Sequence, residues 1–245
     1  MDRKPEKLLV SVNESDSVTA LLYAAAKKDR AGATVILGHG AGANQLSPFM
    51  RLFASGLADR GFDAMTFNFV YMEQGRRAPD QKAKLEGCYR AVIEAAAGHK
   101  KLKGNRLVIG GKSMGGRIAS QVAALENGEA LPDGRASAVS ASAEIAALVL
   151  LGYPLHPPGK PEQLRDAHLK DIRAPMLIVQ GSRDAFGTPE ELREVIKRLH
   201  LPATLHVIEG GDHSFKTPKR LGIPQAQVYE NVMDEIAAWL RLKLT

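Results

Sequence analysis

Short apolar runs, rich in β-branched residues, alternate with stretches of helical periodicity from residue 33 to the end of the 245-residue chain. The runs are apolar throughout, which indicates strands that are buried on both faces of a sheet. They are Thr34–Leu37, Ala64–Tyr71, Arg106–Gly110, Ala147–Leu151, Met176–Gln180 and Thr204–Ile208. Strands joined by helical crossovers pair in parallel, so the pattern predicts a mostly parallel central sheet with helices on both faces.

The segments between the strands carry the helix signals. Helices are predicted over residues 48–60, 80–98, 115–126, 161–170 and 225–242, and another after Thr188, which forms a capping-box pattern with Glu191. Two early strands are predicted over residues 7–12 and 18–26, and the glycine- and serine-rich stretch Asn127–Ala143 is predicted to be a loop. No break in composition marks a boundary, so a single α/β domain is expected over residues 1–245.

Cysteine content and charge narrow the function classes. Cys88 is the only cysteine, and its place inside a predicted helix favours a small packed side chain over a catalytic thiol. The net charge is +6, but the basic residues are scattered, which favours a solvated surface over a nucleic-acid or membrane partner. No secretory signal is visible and the longest apolar run, Ile145–Leu151, is too short for a bilayer, so a cytoplasmic protein is expected.

The segment GKSMG, residues 111–115, follows an apolar strand and opens a helical pattern. A G-x-S-x-G sequence in this context is typical of a nucleophile elbow, which places a serine, here Ser113, above the carboxyl edge of a sheet. The alternative is an ordinary strand–helix turn with an incidental serine. A phosphate loop is disfavoured because Arg106 stands where that motif requires its first glycine.

A serine hydroxyl is a weak nucleophile and needs a positioned base. His213 lies in a glycine-rich loop directly after the last strand, and Asp184 follows the strand Met176–Gln180. Both loops leave the carboxyl edge of a parallel sheet, where Ser113 is also expected. The chain order Ser113, Asp184, His213 is one of the known orders of a catalytic triad. Asp212 is a rival acid, but adjacent side chains of an extended segment point apart.

The loop after the third strand, HGAG at residues 39–42, is suited to an oxyanion hole. Its donors are predicted to be the backbone N–H groups of Ala41 and Met114, and His39 is expected to shape the loop. The same loop resembles a dinucleotide fingerprint, which is disfavoured because the next strand ends at Asn68 and not at an acidic residue. The histidines are scattered, so neither a metal nor a cofactor is expected.

Residues that follow strand ends are candidates for a substrate pocket, although each is equally compatible with core packing. They are Tyr71, Met72, Tyr153, Leu155 and Phe186.

The segments HGAGA, GKSMGG, GSRDAFG and GGDHSF, each in its expected place, resemble the α/β-hydrolase superfamily over nearly the whole chain. The sequence looks most similar to the small dienelactone-hydrolase-like enzymes. GKSMGGR, FNFVYME and GYPLHPPGKPEQLR also resemble a bacterial branch related to the testis-expressed and nonspecific-lethal-complex subunit proteins. The resemblance implies the α/β-hydrolase fold and the triad Ser113, Asp184 and His213.

Two departures refine this expectation. Dienelactone hydrolases proper use a cysteine nucleophile, so a serine at position 113 favours ester or thioester hydrolysis. Only residues 152–175 separate two neighbouring strands, which leaves room for little or no cap domain. The sequence thus predicts a cofactor-free hydrolase that cleaves a carboxylic ester or a related small acyl substrate through an acyl-enzyme. A non-catalytic interaction protein that keeps the fold, and an acyltransferase, are the alternatives.

Overall fold

The computed structural model describes residues 4–126 and 144–244, so the loop predicted over residues 127–143 lies outside the described residues. Within them, one sheet has the strand order β1-β2-β4-β3-β5-β6-β7-β8. The strands are β1 Glu6–Ser11, β2 Ser17–Tyr23, β3 Ala33–Gly38, β4 Asp63–Phe67, β5 Arg106–Lys112, β6 Ile145–Leu151, β7 Met176–Gly181 and β8 Ala203–Ile208. Strand β2 pairs antiparallel with β1 and β4, and all other neighbours pair in parallel. The mostly parallel sheet is therefore confirmed.

Helices cover both faces of this sheet, as predicted. They are α1 Pro48–Asp59, α2 Val70–Glu73, α3 Lys82–Ala97, α4 Met114–Glu126, α5 Pro189–Leu199 and α6 Gln225–Lys243. Helices α3, α4 and α5 pack in one core layer, whereas α1 and α6 pack in the other. Val108 and Ile109, neighbours in β5, are both fully buried but belong to opposite layers. The strands are apolar throughout because both of their faces are covered.

The parallel strands bring their carboxyl ends to one edge of the sheet. Gly38 pairs with Gly111 at the ends of β3 and β5, and Gly181 pairs with Ile208 at the ends of β7 and β8. The loops after β3, β5, β7 and β8 therefore leave the sheet side by side, which is where open α/β sheets place their sites.

The structure differs from the prediction at two elements, one strand and one helix. The fourth strand ends at Phe67, and residues 70–73 form the short helix α2, because side chains bind the backbone that a longer strand would pair. The N–H of Phe69 donates to His39 Nε2 at 3.2 Å, and that of Tyr71 to Asp80 Oδ2 at 2.9 Å.

The helix predicted over residues 161–170 is also absent from the structure, where only Leu169–Asp171 form a single 3₁₀ turn. Arg165 instead ties this segment to the preceding loop. Its N–H donates to the Leu155 carbonyl oxygen at 2.8 Å, and its own carbonyl oxygen accepts from the Tyr153 hydroxyl at 2.7 Å. Those backbone groups are used by tertiary contacts and do not form a helical ladder.

Residues 152–175, between β6 and β7, build no cap domain, and none is evident elsewhere in the described residues. None of the helices in residues 4–126 and 144–244 is long and apolar enough to cross a membrane. The predicted capping box of α5 is present, since Thr188 Oγ1 accepts from the Glu191 N–H and Glu191 Oε2 accepts from the Thr188 N–H.

Candidate active site

The turn between β5 and α4 holds Ser113 in a left-handed backbone conformation, with a φ of 51°. A serine rarely adopts this conformation, and such strain concentrates at functional sites. The turn packs closely against β3, and only a glycine at position 111 leaves room for it. A Cβ atom added to Gly111 would lie 2.2 Å from the carbonyl oxygen of Gly38. The local sequence therefore produces the sharp elbow that the G-x-S-x-G pattern predicts.

Three loops at the carboxyl edge bring a serine, a histidine and an aspartate into one chain of hydrogen bonds. His213 Nε2 lies 2.8 Å from Ser113 Oγ, and His213 Nδ1 lies 2.8 Å from Asp184 Oδ2. A carboxylate only accepts, so Nδ1 carries the proton and Nε2 is left to accept from the serine hydroxyl. This is the geometry in which a neutral imidazole is oriented to take the serine proton.

Asp184 is held in place by partners on both carboxylate oxygens. It is 1% exposed; Oδ1 accepts from the Phe186 N–H at 2.8 Å, and Oδ2 accepts from Gln180 Nε2 at 2.9 Å as well as from His213. Asp212, the alternative acid, makes different contacts: its Oδ1 accepts from the N–H groups of Ser214 and Lys216. Asp212 thus shapes the loop that carries His213.

Gln180 is a residue of this site that the sequence reasoning missed. Its fully buried amide accepts from the Tyr153 N–H at 2.8 Å and donates to Asp184 and to the carbonyl oxygens of Tyr153 and Gly187. The signal for it was a lone polar side chain at the end of the apolar strand β7. It connects the loops that follow β6 and β7 behind the aspartate.

The two predicted oxyanion donors lie beside the serine. Ala41 lines the same cavity as Ser113, and a Cβ atom on the neighbouring Gly40 would lie 3.6 Å from Ser113 Cβ. Met114 is the first residue of α4, so its N–H has no acceptor within the helix.

His39, expected to be structural, is buried and hydrogen-bonded at both nitrogens. Nδ1 donates to the Gly40 carbonyl oxygen at 2.9 Å, while Nε2 accepts from the Phe69 N–H. Burial lowers the pKa of His39 to about 4, so the ring stays neutral and fixes the loop that carries Ala41.

A cavity of about 790 Å³ opens over Ser113 and His213. Of the predicted pocket residues, Phe186 lines this cavity, and its ring lies 4.2 Å from that of His213. The other four are not among the described residues that line this cavity. Tyr71, Tyr153 and Leu155 are at most 1% exposed, and Met72 packs against the core layer of α3 and α4. Each follows a strand end but turns into the interior.

Lys112 is a second residue that the sequence reasoning missed. Its ammonium group is buried beside the triad, has no hydrogen-bond partner in the described part of the chain, and lies 5.9 Å and 5.8 Å from the ring centres of Phe49 and Phe215. Burial lowers the pKa of this lysine to about 8, against the smaller opposing effect of Asp184. The position of a lysine inside the elbow gave no signal for this environment.

The described residues form neither a reactive cysteine nor a metal site. Burial raises the pKa of the Cys88 thiol to about 12, which makes it unsuited to act as a thiolate. Among residues 4–126 and 144–244, no group of three or more histidine, cysteine, aspartate or glutamate side chains is arranged to hold a metal ion.

Comparison with known proteins concerns the fold. Solved structures of similar fold include an alpha-beta serine hydrolase homologue from Coxiella burnetii, which is 17% identical over 100% of both chains with a TM-score of 0.68. A dienelactone hydrolase from Anabaena variabilis is 18% identical over 97% of this chain and 98% of that one, with a TM-score of 0.68. A thermophilic esterase from Thermogutta terrifontis is 22% identical over 97% of this chain and 92% of that one, with a TM-score of 0.69.

At such identities these structures show a shared fold, and the chain has the α/β-hydrolase fold. The family model described as Alpha/beta hydrolase domain matches residues 31–241, from the start of β3 to the last helix. Since the match spans most of the sequence, the chain belongs to the alpha/beta hydrolase domain family.

Proposed function

We propose that this protein is a serine hydrolase that cleaves a carboxylic ester or a related acyl substrate through an acyl-enzyme on Ser113. The observation that carries the proposal is the hydrogen-bonded chain Ser113 Oγ, His213 Nε2, His213 Nδ1, Asp184 Oδ2, with both of its links at 2.8 Å. A binding protein has no need of a strained serine that is aligned with a histidine and a buried carboxylate.

In the first half of the reaction, Ser113 Oγ attacks the carbonyl carbon while His213 Nε2 takes the hydroxyl proton. Asp184 stabilises the resulting imidazolium and keeps its orientation. The negative charge that develops on the carbonyl oxygen is accommodated by the N–H groups of Ala41, in the loop after β3, and of Met114, at the start of α4. The tetrahedral intermediate collapses as His213 returns the proton to the leaving alcohol.

The second half repeats these steps with water. His213 takes a proton from water as it attacks the acyl carbon, and the same two N–H groups bind the second oxyanion. The bond between Ser113 Oγ and the acyl carbon then breaks, the serine regains its proton and the acid leaves.

Intact-mass analysis after exposure to a fluorophosphonate probe tests the proposal directly. We expect a single adduct on the natural chain, and none on Ser113→Ala or His213→Ala, because the probe requires an activated serine. Ser182→Ala is a matched control, since its hydroxyl accepts from the Gly210 N–H in the neighbouring loop and takes no part in the triad. A folded natural chain that forms no adduct would rule out the hydrolase and favour a non-catalytic interaction protein.

Several finer expectations are part of the same proposal. The partner is a small-molecule acyl substrate, with neither nucleic acid nor membrane involved, and the location is cytoplasmic. Kinship with the bacterial branch related to testis-expressed and nonspecific-lethal-complex subunit proteins rests on the GKSMGGR, FNFVYME and GYPLHPPGKPEQLR segments. An acyltransferase would use the same acyl-enzyme, and transfer products formed in the presence of added alcohols or amines would identify one.

A further inference from the structure

The charged side chains that line the cavity over Ser113 are mostly cationic. They are Lys82, Lys112, Arg117, Arg165 and Lys216, together with one carboxylate, Asp80. Asp80 is already bound, because Oδ1 pairs with Arg76 at 2.6 Å and Oδ2 accepts from the Tyr71 N–H at 2.9 Å. The cavity therefore presents positive charge that its own carboxylate does not balance.

Two of these cations, Arg117 and Arg165, extend from firmly anchored backbone. Arg117 is in the first turn of α4, where its N–H donates to the Ser113 carbonyl oxygen at 3.0 Å. Arg165 is fixed through its N–H to Leu155 and through its carbonyl oxygen to the hydroxyl of Tyr153. The backbone of both residues is therefore fixed by hydrogen bonds, and Arg117 follows the nucleophile by only four positions.

Neither guanidinium forms an ion pair with a carboxylate of residues 4–126 or 144–244. Within the described residues, Arg117 Nε is buried without an acceptor, and Arg117 Nη1 has Gln121 Oε1 at 3.5 Å as its hydrogen-bond partner. Burial and then the charge of Arg165 lower the pKa of Arg117, against smaller opposing effects of Tyr153 and Glu86, as expected for two like charges that line one cavity. Two like charges that lack a carboxylate partner among residues 4–126 and 144–244 are unfavourable for stability, and a bound anion would relieve the repulsion.

Other groups at this end of the cavity add to the positive potential. Lys82 Nζ lies 3.5 Å from Glu86 Oε1. His168 is hydrogen-bonded to Ser120 Oγ, and burial, Lys82 and Arg117, in that order, lower its pKa to about 4 against smaller opposing effects of Asp166 and Asp171. Lys82 and Arg117 thus both act on His168 as positive charges.

We propose that Arg117 and Arg165 form an oxyanion-binding subsite in this cavity, and that the acyl substrate carries a carboxylate or phosphate group. Paired guanidinium forks recognise such groups through charge-assisted, bidentate hydrogen bonds. The inference rests on the proposed serine hydrolase for the bond that is cleaved. It does not depend on that activity for binding of the anionic group.

Matched esters test the subsite. One pair is mono-4-nitrophenyl glutarate and its neutral methyl ester, which places the charge on the acyl side of the scissile bond. A second pair is the butyrate ester of 2-hydroxyethyl phosphate and propyl butyrate, which places the charge on the alcohol side. We expect kcat/KM to favour the anionic member of at least one pair by on the order of 10- to 100-fold, and the pair concerned identifies the side and the anion.

Arg117→Gln and Arg165→Gln should each lose most of this preference, measured as the ratio of kcat/KM for the anionic and the neutral ester of one pair. Arg117→Lys should recover part of it, because the charge returns without the fork. Arg193→Gln is the matched control, since Arg193 is exposed on α5 and pairs with Glu190. If the glutamine variants do not fold, the lysine variants are used instead. A rise in salt concentration from about 50 to about 500 mM should also reduce the preference for the anionic ester.

Binding to the Ser113→Ala protein separates failure of the subsite from failure of the hydrolase. Calorimetric titration with N-propyl glutaramate, an uncleaved anionic amide, should show saturable binding that is lost when Arg117→Gln is added. Binding without hydrolysis of any ester would leave the subsite standing and overturn the hydrolase. Hydrolysis of neutral esters, with neither an anionic preference nor glutaramate binding, would overturn the subsite and leave the hydrolase standing.

Discussion

A Cβ atom added to Gly115 would lie 2.1 Å from the carbonyl oxygen of Gly38. The first turn of α4 and the end of β3 thus touch backbone to backbone, and this contact lets the chain reverse at Ser113. The neighbouring atoms belong to the main chain of a central strand, so they do not move aside for a methyl group.

Gly115→Ala should therefore destabilise the protein by several kcal/mol or prevent folding, because the new methyl group forces β3 and α4 apart. The free energy of unfolding in urea measures this. Gly87→Ala is the matched control, since Gly87 lies within α3 with open space around it and should gain about 0.5–1 kcal/mol from the change. Equal stabilities of the two variants would contradict the close contact.

Asp184→Asn should lower kcat by about 10⁴-fold, because an amide no longer holds the imidazole in the required tautomer. Asp212→Asn should change kcat far less, since Asp212 accepts only from backbone N–H groups of its own loop. Steady-state kinetics on an ester that the natural chain cleaves compares the two. A larger loss in Asp212→Asn would mean that the wrong aspartate has been assigned to the triad.

Gln180→Leu should destabilise the protein by about 2–5 kcal/mol, because it leaves buried partners of the amide without hydrogen bonds. It should also lower kcat more than it changes KM, since Asp184 loses one of its two side-chain donors. Urea unfolding and kinetics measure the two effects. Gln227→Leu, on the exposed side of α6, is the control and should leave both nearly unchanged; unaltered kcat in a folded Gln180→Leu would exclude a positioning role.

Lys112→Met should stabilise the protein at pH 7 by about 1–3 kcal/mol, because it replaces a buried and unpartnered ammonium group with an apolar side chain of similar length. Burial lowers the pKa of Lys112 from 10.5 to about 8, so the unfolded chain binds more protons between those two values. The stability of the natural chain relative to the variant should therefore rise as the pH increases from about 8 to about 10.5.

Urea unfolding of both proteins at pH 7, 9 and 10 measures this difference. The exposed Lys103 provides the control substitution, Lys103→Met, for which we expect no comparable pH dependence. A stability difference between Lys112→Met and the natural chain that stays constant across these pH values would show that the ammonium group is solvated in solution.

The sequence predicted the sheet and the grouping of Ser113, His213 and Asp184 because local rules govern both. Ser113, Asp184 and His213 each stand in a glycine-rich turn directly after an apolar strand, so the topology alone places them at one edge. Phe186 lies two positions after Asp184 and was identified for the same reason.

What the sequence did not reveal depends on neighbours that are distant along the chain. Phe49 and Phe215 surround Lys112, and Tyr153 contacts Gln180, and no periodicity links these residues to one another. Tyr153 and Leu155 follow a strand end, as pocket residues often do, but hydrogen bonds to Gln180 and Arg165 turn their loop inward. Likewise, tertiary hydrogen bonds and not propensity decide that residues 161–168 form no helix.

The hydrogen bond between His213 and Ser113 joins residues that are 100 positions apart. The loop that carries His213 follows β8, so His213 reaches the serine only after β8 has paired with β7. Until then, Ser113 has no base within hydrogen-bonding distance. Such non-local closure is a slow step in folding. During ribosomal synthesis Ser113 emerges 100 residues before His213, so the proposed acyl transfer to the serine cannot begin until β8 and the loop that follows it have been made.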